Sequence, residues 1–437
     1  MPLPGIIRSM ARHDVTVVSA ALVVAWAGSL WGQRPIPVRR LTTVASTDSG
    51  VVSSVDAIHV MSDGHVLLND GGRLRLLLFD STLKRFTIRA DTGAGAPMNY
   101  GVGQNAGTGN GEILPFIGDS VAFVDIPAKS LAIVDARGHF GRITTPPVVA
   151  DMPSFGGGPS GVPGFDRRGR LYYRIDARLL PRPGTSTKEG AETSYVHVDS
   201  AAIVRADFDA RRVDTVAKLH ATQRAKVIRI TRATPDGYVF GASVSQTYDP
   251  LPSTDEWAYL GDGTVAIVRG QDYHVDWFLP DGRRESTPKM PFDWRRVTDA
   301  EKQRMVDSVR HRLDSAYDAS IARLVKANPG RTAASLAASR ARPEVVTANE
   351  LPDYYPPVRA GSQMRADPDG NLWILPTTSL QAKGGYLYDV VNRKGEIIER
   401  VQFPEGRALA GFGPKSIVYM QVPAGYSWPR LERARII

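Results

Sequence analysis

The chain contains no cysteine. That absence excludes disulfides, thiolate metal sites, a cysteine nucleophile and a lipidated-cysteine anchor, so stability must come from packing. Catalytic signatures are scarce as well. Gly158-Pro159-Ser160-Gly161 is followed by Val162, which breaks the Gly-x-Ser-x-Gly elbow of a nucleophilic hydrolase. None of the eight His (13, 59, 65, 139, 197, 220, 274 and 311) forms the i, i+4 pair with Glu that a zinc protease needs. In Gly101-Val102-Gly103-Gln104-Asn105-Ala106-Gly107 the third Gly falls one residue late for a dinucleotide loop, and no βαβ flanks surround it. Asp367-Pro368-Asp369-Gly370-Asn371 opens like a calcium loop but lacks the later bidentate Glu, so it is expected to be a hairpin turn.

What is present is a 437-residue chain that is 42% hydrophobic and 23% charged, which excludes a wholly disordered chain and a multi-span membrane protein. The 54 Lys and Arg outnumber the 45 Asp and Glu, giving a formal charge of +9. Residues 1–13 carry Arg8, Arg12 and His13 without an acid, and Val15 to Gly32 then run 18 residues without a charge. This order is that of an export signal, with Ala25-Trp26-Ala27 as the peptidase site and cleavage after Ala27. An uncleaved membrane anchor over residues 15–32 is the alternative. In either case residues 1–33 form a separate segment and the body is exported, to the periplasm or the exterior.

Residues 34–437 contain a recurring unit, a turn of Asp-Gly type followed by alternating apolar residues. Its six instances are Ser62 to Leu68, Gly118 to Val124, Arg167 to Tyr173, Gly261 to Ile267, Pro368 to Ile374 and Gly413 to Tyr419. Asp-Gly supplies the positive φ of a tight hairpin, and the β-branched and aromatic residues after it suit a buried strand. A second turn follows at similar distance near Asp80-Ser81, Arg137-Gly138, Asp281-Gly282 and Lys394-Gly395. Two hairpins per unit make a four-stranded sheet, and six such sheets predict an all-β, six-bladed β-propeller. Each unit is longer than a compact blade, so insertions are expected at residues 92–112, 182–197 and 284–350. The last is helical: Thr298-Asp299-Ala300-Glu301 is a capping box. Met305, Val309, Leu313, Tyr317, Ile321 and Leu324 then form one stripe, Asn328-Pro329-Gly330 ends it, and a short helix spans Thr332 to Ala341. This hairpin, about residues 296–342, is expected to lie on the propeller. Residues 224–255 are expected to form an extra hairpin in the fourth unit.

These six units, with Gly107-Thr108-Gly109-Asn110-Gly111-Glu112 leading to Gly118-Asp119-Ser120, resemble the exported six-bladed β-propellers of the NHL and TolB-like group of Gram-negative bacteria. The Gly-rich stretch is similar to a Gly-x-Gly-Pro-Gly-Glu loop of that group, with Asn110 in place of Pro and Ile113-Leu114 in place of an aromatic. Asp272-Tyr273-His274-Val275-Asp276-Trp277 and the capped helix are also similar, and the resemblance covers residues 40–437. It implies a ring closed by Pro37 to Ala45 pairing beside Pro414 to Ile437.

Propellers that hydrolyse lactones or esters, which this chain resembles in fold, bind an axial divalent metal through acids and amides of different blades. Glu112, Asp166, Glu256 and Asp367 lie near blade starts and are the candidate metal ligands, with calcium as the ion. Trp257, Tyr259, Tyr354, Tyr355 and Trp373 sit at comparable entrances and are the candidate binding face. Residues 293–342 carry 11 Lys and Arg against six acids, mixed around the helix as on a solvated face, and no nucleic acid is expected. With a full repeat set and no catalytic signature, the sequence favours a non-enzymatic binding or scaffold propeller of the cell envelope, without cofactor and monomeric. It would present residues 92–112 and the helical insert to a protein or glycan. A metal-dependent, lactonase-like propeller hydrolase or lyase is the alternative.

Overall fold

Tight turns organise the molecule. Gly64, Gly118, Gly169, Gly263 and Gly370 all take positive φ, and in the sixth unit Lys415 and Ser416 adopt the left-handed region instead. Each reverses a first strand into a second. The structure is a computed structural model, and it describes residues 35–93, 100, 112–126, 128–156, 161–176, 190–234, 237–338, 340–362, 364–423, 425 and 428–437. The expected export or anchor segment of residues 1–33, the Gly101 to Gly111 stretch and Gly158 to Ser160 lie outside these residues. No helix among them is long and apolar enough to cross a membrane.

The strands form six antiparallel groups. The first sheet holds Ala57–Val60, Val66–Asp70, Arg75–Phe79 and Phe86–Ala90. The second holds Glu112–Pro115, Val121–Asp125, Ser130–Val134 and Phe140–Thr144, and the third begins with Gly164–Phe165, Leu171–Ile175, Gly190–Asp207 and Arg212–Thr234. The fourth has Glu256–Tyr259, Val265–Val268, Val275–Phe278 and Arg284–Ser286; the fifth has Arg365–Ala366, Leu372–Ile374, Leu387–Val391 and Ile397–Gln402. Ala408–Gly413, Ile417–Val422 and Arg430–Ile436 make the sixth, completed from the other end of the chain by Val38–Ser46. That strand pairs antiparallel with Arg430–Ile436 (Leu41 opposite Ile436) and parallel with Ile397–Gln402 (Val38 opposite Arg400), so it also joins the fifth group to the sixth.

Apolar alternation on both faces of every sheet gives a core between each neighbouring pair. Leu67, Leu76, Ile113 and Phe123 join the first sheet to the second, and Leu114, Leu131, Phe155 and Tyr173 join the second to the third. The third and fourth meet at Tyr172, Ile203, Trp257 and Ile267, the fourth and fifth at Val268, Trp277, Leu372 and Val391. Trp373, Phe403, Val418 and Met420 link fifth to sixth, and Val66, Leu77, Ala410 and Tyr419 bring the sixth back onto the first. A closed cycle of packed antiparallel sheets is a propeller-like, all-β fold.

Two expected insertions are corrected. Residues 190–197 belong to the long strand Gly190–Asp207, whose Glu192 to Val198 pair with Gln223 to Arg229. The hairpin of residues 224–255 belongs to the third sheet: Arg212–Thr234 runs 23 residues without interruption, and Gly237–Tyr248 pairs along it. The strands there run longer than those of the other sheets, because the three segments pair with one another along their length. The helical insert matches expectation. Helix α1 (Asp299–Ala327) starts at the Thr298–Glu301 capping box, and α2 is Ala333–Ala338. Val306 packs with Leu251, Val297, Val346 and Leu351 in a small core of its own, and Arg342 closes the hairpin on Asp314 (2.6 Å) and Asp318 (2.8 Å).

Candidate functional site

Residues from all six sheets line one cavity of about 460 Å³, among them His59, Pro115, Gly164, Tyr259, Arg365 and Gly411. The space exists because several inner strands carry small residues. A Cβ at Gly164 would stand 2.4 Å from the Tyr259 ring, and one at Gly411 would stand 3.1 Å from Ile58. His59 and Arg365 occupy equivalent places, each two residues before the turns that begin at Met61 and Asp367. The third and fourth sheets put Gly164 and Ala258 at that place, before the turns at Asp166 and Leu260. Where the ring offers room on one side, it projects an imidazole and a guanidinium on the other.

Burial sets the charge states of these groups. Loss of hydration lowers the His59 pKa, opposed by Asp119, whose backbone also hydrogen-bonds the ring. Among the described residues its Nε2 has no hydrogen-bond partner. Arg365 donates from Nη1 to the Ala410 carbonyl at 2.7 Å. Glu112, the first residue of its strand, accepts from the Ile113 N–H at 3.2 Å. Desolvation pushes its carboxyl up to about 8, against the attraction of Arg365 and with some help from Asp56. Both Glu112 and Arg365 are half-buried, and of the two Arg365 lines the cavity. Glu256 is only 3% exposed and burial raises it to about 7, while the Gly361 N–H at 2.6 Å, the Arg174 charge and the Met364 and Ser362 backbone oppose the rise.

The other sequence candidates divide. Asp166 accepts from the Arg168 and Arg170 N–H groups and from the Arg170 guanidinium at 2.7 Å; Asp367 accepts from Asp369, Asn371 and the Trp373 indole at 3.1 Å. Both carboxylates are consumed by their own turns at the cavity rim. Trp257 (1% exposed) and Trp373 (2%) are core residues, because each fills an interface between sheets, so neither offers a binding face. Tyr259 does reach the cavity, stacked on Tyr172 at 5.1 Å and bonded to the Phe165 carbonyl. Tyr354 and Tyr355 lie by the insert, the second under Arg295 at 4.4 Å.

His59 and Arg365 are the site residues that the sequence reading missed. The signal was the register: counting back two residues from each first turn would have placed both on one ring. Other buried acids are structural. Asp276 takes Arg269 (2.6 Å), Arg284 (2.7 Å) and Ser286, and Asp389 takes the Tyr273 hydroxyl and Arg400, tying the fourth sheet to the fifth.

A divalent cation does not fit this donor set. The Glu256 carboxylate is held by backbone N–H groups, Asp166 and Asp367 are spent on turns, and the charge beside Glu112 is the cation Arg365. Among the described residues no group of three or more His, Cys, Asp or Glu is placed to hold a metal ion.

No protein-family model and no curated protein matches the chain. Solved structures that it is similar to include the calcium-binding protein regucalcin of Agrobacterium tumefaciens (10% identity, 91% of this chain and 96% of that one, TM-score 0.39). A gluconolactonase of Xanthomonas campestris gives 10% identity over 91% and 90%, TM-score 0.38. A virginiamycin B lyase of Staphylococcus aureus gives 10% over 91% and 100%, TM-score 0.38.

Proposed function

We propose that the protein is an exported six-bladed β-propeller that performs metal-independent acid–base chemistry, hydrolysis or elimination, on a small polar molecule in its axial cavity. One observation carries this reading: a single cavity bounded by all six sheets, with His59 and Arg365 projecting from equivalent register positions and Glu112 within reach of the Arg365 charge. Convergent polar groups in a largely apolar hollow are the usual mark of a small-molecule site. Near neutral pH the raised Glu112 carboxyl holds its proton and leaves the neighbouring Arg365 charge unneutralised. His59, kept neutral by burial and lining the cavity, takes a proton from water or from a substrate carbon. Arg365 faces the oxygen on which negative charge grows.

Export and a periplasmic or extracellular place are part of the proposal and rest on the charged-then-apolar order of residues 1–33. The envelope scaffold presenting loops to a protein or glycan receives no support from the cavity and becomes the second reading. A panel of lactones, aryl esters and β-substituted acids, assayed with and without chelator, separates the two. Expected is chelator-resistant turnover that drops at least about 100-fold in Arg365→Ala. No turnover on any member, with the fold intact, would return the scaffold reading to the front.

A further inference from the structure

A second cavity, of about 260 Å³, opens between the second and third sheets. Phe116, Leu131, Ile133, Phe165 and Phe208 wall it. Phe116 and Phe165 meet edge to face at 4.9 Å, and Phe165 lies 5.9 Å from Phe208, so one side is a continuous aromatic surface. Phe116, Ile117 and Phe165 also line the axial cavity and form the partition between the two. Apolar hollows of about 150 Å³ already take up benzene, so this one has room for a longer hydrocarbon.

Its rim carries Arg142, Arg168 and Asp209. Arg142 meets Asp209 only at 3.7 Å, with both side chains mostly in solvent. Arg168 gives its backbone N–H to Asp166, and its guanidinium forms no ion pair among the described residues. An apolar chamber with a surplus cation at its mouth complements a molecule with a hydrocarbon body and one anionic end.

We propose that this chamber binds a small amphiphilic carboxylate, a medium-chain alkanoate or arylalkanoate, with the chain against Phe116, Phe165 and Phe208 and the carboxylate on Arg168. The site stands apart from the axial chemistry and requires none of it.

Calorimetric titration of the full chain with butanoate, hexanoate, octanoate and octanol tests the assignment. Affinity should rise about fourfold per added methylene until the chamber is full, and octanoate should bind at least about tenfold tighter than octanol, as a charge-assisted contact requires. Arg168→Ala should erase the preference for octanoate over octanol while octanol still binds. Thr144→Trp on an outer strand and Ile133→Trp on its neighbour each fill the chamber and should abolish both ligands, with unchanged melting as the control on folding. Absence of millimolar octanoate binding, or octanoate binding that survives both filled variants, overturns the site. Equal affinity for octanol and octanoate, or an Arg168→Ala variant that keeps the preference, overturns the anionic assignment.

Discussion

Glu112 and Glu256 show what it costs to hold carboxyls in the middle of a ring. Both are raised in the folded chain from the ordinary 4.5, so folding favours their protonated forms. Their contribution to stability is complete below about pH 4.5 and is lost as pH climbs through about 7 for Glu256 and about 8 for Glu112. Glu112→Gln removes that loss. Urea melts should find the variant more stable than the parent at pH 9 by about 1–3 kcal/mol, with a flatter profile between pH 5 and 8; parallel profiles would show that the carboxyl is not buried as described. At this scale the sequence was half legible. Acids at strand starts could be picked out, but Asp166 and Asp367 look alike to Glu112 and Glu256 until hydrogen bonds show the first two satisfied by their own turns. Gly164 is a second residue-scale test: Gly164→Ala places a Cβ 2.4 Å from the Tyr259 ring. It should lower stability by about 1–3 kcal/mol in thermal melts and disturb the cavity wall, whereas a neutral result would mean that the ring moves freely.

At the level of elements, legibility followed the range of the signal. Five of the six first turns and three of the four second turns were readable because positive φ there falls on a Gly, and the capping box was readable because Thr298 and Glu301 answer each other across one helical turn. The long ribbon of the third sheet was not. Arg212–Thr234 is one strand only because Gly190–Asp207 and Gly237–Tyr248 flank it, a tertiary fact that alternation in any single segment leaves open. The insert's independence can be probed through its cap. Thr298→Ala removes the hydroxyl that accepts from the Glu301 N–H and should cost about 1 kcal/mol. Since α1 packs mainly within its own small core, hydrogen exchange should quicken across Asp299–Ala327 while amides of Val265–Val268 keep their protection. Acceleration spread evenly over both would make the insert an integral part of the ring.

For the whole molecule the decisive strand is Val38–Ser46, which carries the start of the chain to its end. It supplies the outermost strand of the sixth sheet, bridges to the fifth, and buries Leu41 among Val401, Phe403, Val418 and Ala434. With no cysteine to fix the ring covalently, this pairing is its closure, and such a contact between distant ends forms late and slowly. A chain beginning at residue 47 would lose the burial of Leu41, by itself about 2–5 kcal/mol, and would leave Arg430–Ile436 as an open edge. Open edges recruit other strands. The truncated protein should therefore melt several degrees lower and run as a dimer or larger species in light-scattering chromatography, and a synthetic peptide of residues 36–47 should restore both the melting temperature and the parent's elution. A truncated chain that behaves like the parent would mean that the six interfaces hold the ring shut without the strand. Partial rescue by the peptide, stability without the parent's elution, would instead separate the two roles of this strand, Leu41 filling the core and the ladder capping the edge.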